Sequence, residues 1–303
     1  MTDLAGLLVD PFRLPFMQRA LVELLLLGLV AGVAGVHVVL RRMAFVTDTL
    51  THTVFPGVVV AFLLDQPVLV GALATGLLSA VLLPLLTASR RVSQDAALAV
   101  LLTSFFSVGV VLVSRTEGYT TDLTLFLFGD LLSVSGQQIA ETALVGAGVL
   151  AVFAALHKEL LLAGFDPVAA RAMGYRTVAL DVVLNVLVAL TVVAAVRAVG
   201  TVLVIALLVV PAVTAQVVTD RLAGMVATSV LVAVAGGYLG LLLSFQASVT
   251  YGVNLASGAS VVAALVAIFV AVSVGAALTR AGVGRAARPG ASRLPGGTAV
   301  ERA

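Results

Sequence analysis

The chain has 303 residues, of which 61% are hydrophobic and 11% are charged, and its mean hydropathy is +1.20. This composition excludes a soluble globular protein and indicates an integral membrane protein. The net charge is only +2 and cysteine is absent. Disulfides, thiolate zinc sites and iron–sulfur clusters are therefore excluded, and any metal must bind to nitrogen and oxygen atoms.

Hydrophobic stretches long enough to cross a bilayer recur along almost the whole chain. They predict an all-α, polytopic membrane protein with eight to nine transmembrane helices, and nine is the working number. We place the crossings at residues 17–40, 44–64, 67–88, 94–114, 137–156, 177–196, 199–219, 222–245 and 256–279. Residues 1–16 form an N-terminal segment, 17–279 form the transmembrane domain, and the Arg- and Gly-rich residues 280–303 are predicted to be a disordered tail that contacts anionic lipid.

The distribution of positive charge predicts the orientation of these crossings. The segment 122–134 is apolar but too short to cross, so we expect a short or re-entrant element packed against protein. One side of the membrane then holds 13 of the 17 basic residues, namely Arg41, Arg42, Arg90, Arg91, Lys158, Arg171, Arg176, Arg221, Arg280, Arg285, Arg288, Arg293 and Arg302. By the positive-inside rule this side is cytoplasmic, which places the N-terminus outside and the C-terminus inside.

The second crossing carries a carboxylate and an imidazole within its apolar run. Asp48 and His52 are four residues apart, so a helix stacks them on one face, about 6 Å apart. Counted from Arg42 at 1.5 Å per residue, Asp48 lies about 9 Å and His52 about 15 Å along the helix. Ionisable groups at that depth usually face the bundle interior or a water-filled path. Oxygen and nitrogen together form a ligand set that divalent transition metals accept.

Two prolines are expected to interrupt helices inside the membrane. Pro56 has no amide hydrogen, so the carbonyl of His52 loses its helical partner close to the side chains of Asp48 and His52. Gly57 adds no side-chain bulk next to this carbonyl. Pro211 is expected to free the carbonyl of Leu207, which is tolerated only against protein or a cavity. The alternative to a metal-binding role is a structural one, in which Asp48 and His52 form a buried hydrogen-bonded pair that only fixes helix packing.

The longest cytoplasmic loop contains the signals of a short helix. Asp166 can cap a helix that begins with Pro167, and Gly174 can end it. The result is an amphipathic helix of one to two turns that is suited to docking into a partner. Among the other ionisable residues, Glu23 and Glu141 are expected to snorkel to the outer surface, and His37 to be interfacial or structural.

Four stretches occur in a fixed order along the chain, and together they carry a resemblance. They are Asp48-x3-His52-x3-Pro56-Gly57, Leu127-Phe128-Gly129, Phe165-Asp166-Pro167-x2-Ala170-Arg171-x2-Gly174, and Ala206-Leu207-Leu208-Val209-x-Pro211-Ala212. Over about residues 17–279 the chain resembles the permease subunits of ATP-binding-cassette (ABC) importers for zinc, manganese or iron, the ABC-3 metal permease family. Residues 245–259 depart from the family pattern, because they lack its Asp-x-Pro-x-Gly turn, so contacts of this outward loop are not carried over.

The resemblance implies the all-helical fold of vitamin B12 importer permeases, working as a homodimer. It implies an ATPase subunit on the cytoplasmic side and a metal-delivering solute-binding protein outside. It also implies that Asp48 and His52 meet the passing metal, and that a coupling helix docks the ATPase through Phe165, Asp166, Pro167, Ala170, Arg171 and Gly174. Zinc is slightly favoured over manganese or iron because a histidine is present. No permanently bound cofactor and no nucleic-acid partner are expected.

The sequence contains no motif for ATP hydrolysis. Its single lysine, Lys158, follows His157, so the phosphate-binding Gly-x4-Gly-Lys-Ser/Thr loop is missing. We therefore expect a transport subunit rather than an enzyme. Two rival transport functions stay open: a proton-coupled carrier of divalent cations, with Asp48 and His52 as a proton relay, and a permease for metal chelates with a wider, less charged path.

Overall fold

A computed structural model describes residues 10–88, 91–114, 129–253 and 255–286. Within these ranges the regular structure consists of helices, with no strand and with two 3-10 turns at Asp10–Arg13 and Leu131–Ser133. The helices are α1 (Pro15–Leu40), α2 (Ala44–Thr53), α3 (Phe55–Leu63), α4 (Val68–Ala88), α5 (Gln94–Val113), α6 (Gly136–Ala155), α7 (His157–Phe165), α8 (Pro167–Ala172), α9 (Thr177–Val218), α10 (Leu222–Tyr251) and α11 (Ser257–Ala286).

Helix α9 is two helices that meet at a sharp turn. It has 42 residues, and Gly200 in its interior is non-helical, with φ 75° and ψ 167°. Near its start Asp181 contacts Arg41 at the end of α1, whereas Arg197 contacts Glu141 near the start of α6. Beyond Gly200 the chain returns, because the carbonyl of Leu208 lies against Gly35, close to the end of α1. Residues 177–199 and 201–218 are therefore antiparallel.

The reversal at Gly200 settles how many times the described chain crosses the bundle. By length and hydropathy alone, eight helices of the described residues qualify as membrane spans, with α2 and α3 together forming one of them. Since α9 runs across and back, the described residues make nine crossings. Residues 201–218 rise about 27 Å, which is close to the thickness of the hydrocarbon core. The all-α, polytopic fold predicted from the sequence is confirmed.

Helix α1 packs against α6, α9 and α10. Small residues allow the close approach of α10. A Cβ added at Gly32 would lie 2.7 Å from the side chain of Val230, and one at Gly28 would lie 3.4 Å from Ala233. In a membrane, where lipid is as apolar as the helices, such close packing provides much of the association energy.

The bundle has a basic face and an opposite face. One cavity joins Arg41 and Arg42 to the end of α4, the starts of α5 and α9, and the junction of α7 and α8 at Gly164 and Pro167. Around this end of the bundle, which we call the basic face, lie Arg41, Arg42, Arg91, Lys158, Arg171, Arg176 and Arg221. At the opposite face the described basic residues are Arg13, Arg19 and Arg197. The charge asymmetry predicted from the sequence is therefore present in the fold.

Several boundaries differ from those predicted. Of the doubtful segment 122–134, residues 122–128 lie outside the described part of the chain, and the rest forms a 3-10 turn rather than a crossing. The last helix continues to Ala286, seven residues into the predicted tail, and residues 287–303 lie outside the described ranges, as do residues 1–9. The link between α10 and α11 lies at the face opposite the basic face and begins at Gly252, whose φ of 63° ends α10 with a left-handed cap.

Candidate metal site and docking helix

The helix that carries the predicted metal ligands is broken just after them. Helix α2 ends at Thr53 and α3 begins at Phe55, so Val54 separates the two. The carbonyl of His52 has no helical partner at Pro56, because proline lacks an amide hydrogen. The break therefore falls where the proline predicts it.

Asp48 and His52 lie on one face of α2, as the spacing predicts. The Nε2 atom of His52 is 3.6 Å from Oδ1 of Asp48, and 29% of the His52 side chain and 40% of the Asp48 side chain are exposed. A distance of 3.6 Å is too long for a hydrogen bond, so these atoms are not committed to each other. Metal bonds of about 2.0–2.2 Å to two ligands on one ion place the ligand atoms about 3–3.6 Å apart. The pair is therefore spaced for one shared cation.

A neighbouring aromatic ring orients the imidazole of the pair. The hydroxyl of Thr51 donates to the backbone carbonyl oxygen of Asp48 at 2.6 Å, which leaves the Asp48 carboxylate uninvolved. Phe106 of α5 meets the imidazole of His52 edge to face, with ring centroids 5.9 Å apart, and Phe106 also packs against Phe55 at 5.7 Å. This aromatic contact holds the imidazole beside the helix break.

A cleft on the Asp48 side of the pair contains a carboxylate that the sequence reasoning did not select. It has a volume of about 340 Å³ and is lined by Phe45, Asp48, Thr49, Asp95, Leu98, Ala99 and Leu102. Asp95 lies in the first turn of α5, which Ser93 caps by accepting the amide hydrogen of Ala96. Acidic residues are common in the first turn of a helix, so the sequence alone does not single out Asp95. Only the packing of α2 against α5 brings it to the cleft.

One copy of the chain supplies few metal ligands. Among the described residues, no group of three or more His, Asp and Glu side chains could surround an ion. Asp48 and His52 therefore leave most positions of a bound cation to water, to backbone oxygen or to a second copy of the chain. Such an open site suits an ion that has to leave again.

Gly57 and Pro211 lie in closely packed parts of the bundle. A Cβ at Gly57 would collide with the carbonyl of Gly71, so glycine allows α3 and α4 to touch. Thr75 of α4 donates to the carbonyl of Val54 at 3.2 Å and so ties α4 to the break. Pro211 is buried within α9, in a part of the bundle next to Gly35 rather than beside Asp48.

The expectation that Glu23 snorkels to the surface is wrong. Glu23 is fully buried, and its Oε1 accepts a hydrogen bond from the hydroxyl of Thr142 at 2.8 Å. This partner on α6 therefore replaces water for Glu23. Glu141 keeps 32% of its side chain exposed and forms an ion pair with Arg197, with an N–O distance of 2.7 Å. His37 is also buried, and its Nδ1 lies 3.1 Å from the carbonyl oxygen of Val33, as expected of a structural histidine.

The short helix predicted in the longest loop is present at the basic face. Helix α8 begins at Pro167, and Oδ1 of Asp166 accepts the amide hydrogens of Val168 and Ala169 at 3.1 and 2.8 Å. Gly174 follows α8 with φ 88°, a conformation that favours glycine. The capping pattern predicted from the sequence is confirmed.

The surface of this helix is apolar and unusually exposed. Phe165, Val168 and Met173 are 71%, 67% and 68% exposed, whereas Ala170 is completely buried against the bundle. Arg171 is also exposed, and its Nε donates back to the carbonyl of Pro167 at 3.1 Å. We call the group Phe165, Val168, Arg171 and Met173 the docking surface.

Comparison with known proteins identifies the family of this nine-crossing bundle. The model of the ABC 3 transport family matches residues 13–276. The chain belongs to the ABC 3 transport family. It is thus a membrane subunit of an ABC-type metal transport system and not an enzyme, as the motifs predicted.

Individual relatives agree with this assignment over most of their length. The chain is 35% identical over 254 residues to the manganese transport system membrane protein MntC of Halalkalibacterium halodurans, covering 84% of this chain and 87% of that protein. It is 35% identical over 248 residues to the chelated iron transport system membrane protein YfeD of Yersinia pestis, covering 81% and 82%. The structure of PsaBC from Streptococcus pneumoniae in complex with Fab matches with a TM-score of 0.76 and 32% identity, covering 89% of this chain and 95% of that chain.

Proposed function

We propose that this chain is the permease of an ABC importer and moves a divalent transition metal past Asp48 and His52. The observation that carries the proposal is the pair itself. The carboxylate of Asp48 and the imidazole of His52 lie 3.6 Å apart and are partly exposed, although their helix is part of an apolar membrane span. An acid that faces lipid is costly, so the exposed side of this pair must face protein, water or the passing ion.

Manganese is the cargo that we place first. The relatives named above are described as manganese and chelated iron transport proteins. Carboxylate, water and imidazole together suit Mn²⁺ and Fe²⁺ as well as Zn²⁺, so the ligands alone do not separate these ions. The zinc preference expected from the sequence rests only on the presence of a histidine. It stays a prediction, and the relatives make manganese our first choice.

A second copy of the chain is the natural cover for the exposed side of the pair. One chain offers two ligand side chains, and both are partly exposed although they belong to a membrane span. In a homodimer the two copies would face each other across one path and supply up to four such ligands. We therefore propose a homodimer with the path between its protomers.

The docking surface supports an ATPase partner at the basic face. Three large apolar side chains exposed on and around one capped helix are typical of a protein-binding site. The chain itself lacks a phosphate-binding loop. We propose that a separate ATPase subunit binds this surface, through Phe165–Gly174 as the resemblance implies, and that a solute-binding protein delivers metal at the opposite face.

The basic face is proposed to be cytoplasmic, and reporter fusions test this orientation. We expect a reporter fused after residue 286 to be on the cytoplasmic side and one inserted between residues 252 and 256 to be on the outer side, because α11 separates the two positions. Alkaline phosphatase and green fluorescent protein fusions report the two sides. Both reporters on one side would contradict the nine-crossing topology, and the reverse arrangement would contradict the orientation.

Transport into proteoliposomes tests the function and separates the rival functions. We expect uptake of radioactive Mn²⁺ to require the ATPase subunit, the solute-binding protein and ATP, and to ignore an imposed proton gradient. Uptake driven by the gradient without ATPase would instead favour a proton-coupled carrier. Uptake of an intact metal chelate in preference to free ions would favour the chelate permease, and competition by unlabelled Zn²⁺ and Fe²⁺ ranks the ions.

A further inference from the structure

The helix that carries the metal pair starts at a tight link with an unusual backbone. Three residues, 41–43, separate α1 from α2, and Arg42 in the middle has φ 57°. The amide of Met43 donates to the carbonyl of Val38 at 2.8 Å, which folds the link back onto α1. The position of α2, and with it of Asp48 and His52, therefore depends on how this link is held.

One side chain of the link reaches the segment that leads into the docking helix. Arg41 is only 10% exposed, and its Nη1 donates to Oδ1 of Asp181 at 2.5 Å. Its Nη2 donates to the carbonyl oxygen of Leu160 in α7 at 2.7 Å. A Cβ at Gly164 would lie 3.0 Å from Nε of Arg41, so the glycine leaves room for the guanidinium. Arg41 thus ties the start of α2 to α7 and α9, which flank α8.

The region around this contact is not tightly packed. A cavity of about 430 Å³ lies beside it, lined by Leu40, Arg41, Arg42, Met43, Leu83, Pro84, Thr87, Gln94, Ala163, Gly164, Pro167, Asp181 and Asn185. Asn185 donates to the carbonyl of Asp181 at 2.8 Å, but its buried Oδ1 has no hydrogen-bond partner among the described residues. The two hydrogen bonds of Arg41 therefore cross beside open space, where they join the link to the segment that leads into the docking helix.

We propose that Arg41 is a positioning residue that makes α2 follow the docking segment when the ATPase moves it. This inference rests on the proposed function and adds to it a specific connection between ATP hydrolysis and the metal pair. Arg41 does not touch the metal. It acts because a planar guanidinium can hold a carboxylate and a backbone carbonyl at the same time, in fixed directions, which a lysine ammonium on a flexible stem does not reproduce.

The test is to measure the metal transported per ATP hydrolysed in proteoliposomes that contain the complete transporter. Arg41→Lys keeps the charge and loses the planar fork. We expect the ratio of Mn²⁺ imported to ATP hydrolysed to fall by about tenfold, a typical size for the coupling between two sites. ATPase association and the rate of hydrolysis should stay at the wild-type level. The matched control is Arg42→Lys, a change in the exposed neighbouring arginine, which should keep the wild-type ratio.

Two further results keep the test decisive. Asp181→Asn removes one acceptor charge while leaving the Leu160 bond, and it should lower the ratio less than Arg41→Lys does. If Arg41→Lys does not reach the membrane, Asp181→Asn decides alone, and a wild-type ratio in that variant overturns the proposal. A wild-type ratio in Arg41→Lys, or equal losses of transport and hydrolysis, also overturns it. Wild-type protein that hydrolyses ATP but imports no metal would instead overturn the proposed function, and this inference with it.

Discussion

Asp48→Asn and His52→Ala are each expected to abolish metal uptake while the protein still reaches the membrane and binds its ATPase. Asparagine keeps the size of Asp48 but removes its charge, and alanine removes the nitrogen ligand. Even the loss of residues that only support a metal ligand costs 10- to 100-fold in affinity or activity. We therefore expect uptake to fall by about 100-fold or more. Uptake of radioactive Mn²⁺ per molecule of membrane-inserted protein is the measurement.

Asp65→Asn is the matched control for this prediction. Asp65 follows α3, is exposed in the link to α4, and has a left-handed backbone with φ 50°, which asparagine tolerates well. The control should transport at the wild-type rate. If Asp48→Asn lowered the amount of protein but left uptake per molecule unchanged, the pair would be structural, and the alternative interpretation of the two side chains would be correct.

Val168→Glu and Arg171→Glu are expected to prevent association with the ATPase without affecting membrane insertion. In the first variant the ATPase would have to bury a carboxylate where it now meets an apolar side chain, and in the second a positive charge becomes negative. A loss of about 2 kcal/mol, which is common at the centre of an interface, weakens binding about 30-fold. Co-purification of the ATPase with tagged permease from membranes measures this loss.

The control for the docking surface lies at the opposite face. Val249 is 66% exposed near the end of α10, so Val249→Glu makes the same chemical change at a comparable exposed position. It should leave ATPase association at the wild-type level. ATPase binding that is normal in Val168→Glu and Arg171→Glu would show that this surface is not the docking site.

The features predicted well from the sequence depend on neighbours along the chain. Crossing helices follow from the length of apolar runs, and the shared face of Asp48 and His52 follows from their spacing of four residues. The caps of α8 at Asp166 and Gly174 follow from local backbone chemistry, so the structure reproduces them. A turn that divides α9 was also expected, at residues 197–198, two residues before the observed turn at Gly200.

The features that the sequence did not predict arise from contacts between distant segments. Asp95 joins the cleft of Asp48 only because α5 packs against α2. Glu23 is satisfied by Thr142, which is 119 positions away, so nothing near it in sequence reveals that it is buried. Arg41 contributed to the charge count of the basic side, whereas in the fold its guanidinium is buried against Asp181 and Leu160.

The central claim, that the metal passes in contact with Asp48 and His52, is tested most directly by pulsed electron paramagnetic resonance of the Mn²⁺-loaded permease–ATPase complex. This method detects the hyperfine coupling of an imidazole nitrogen bound directly to Mn²⁺. We predict that this coupling is present in the wild-type complex, is retained in His157→Ala, and is absent in His52→Ala. A wild-type spectrum without the nitrogen coupling, or a coupling that persists in His52→Ala, would contradict the claim.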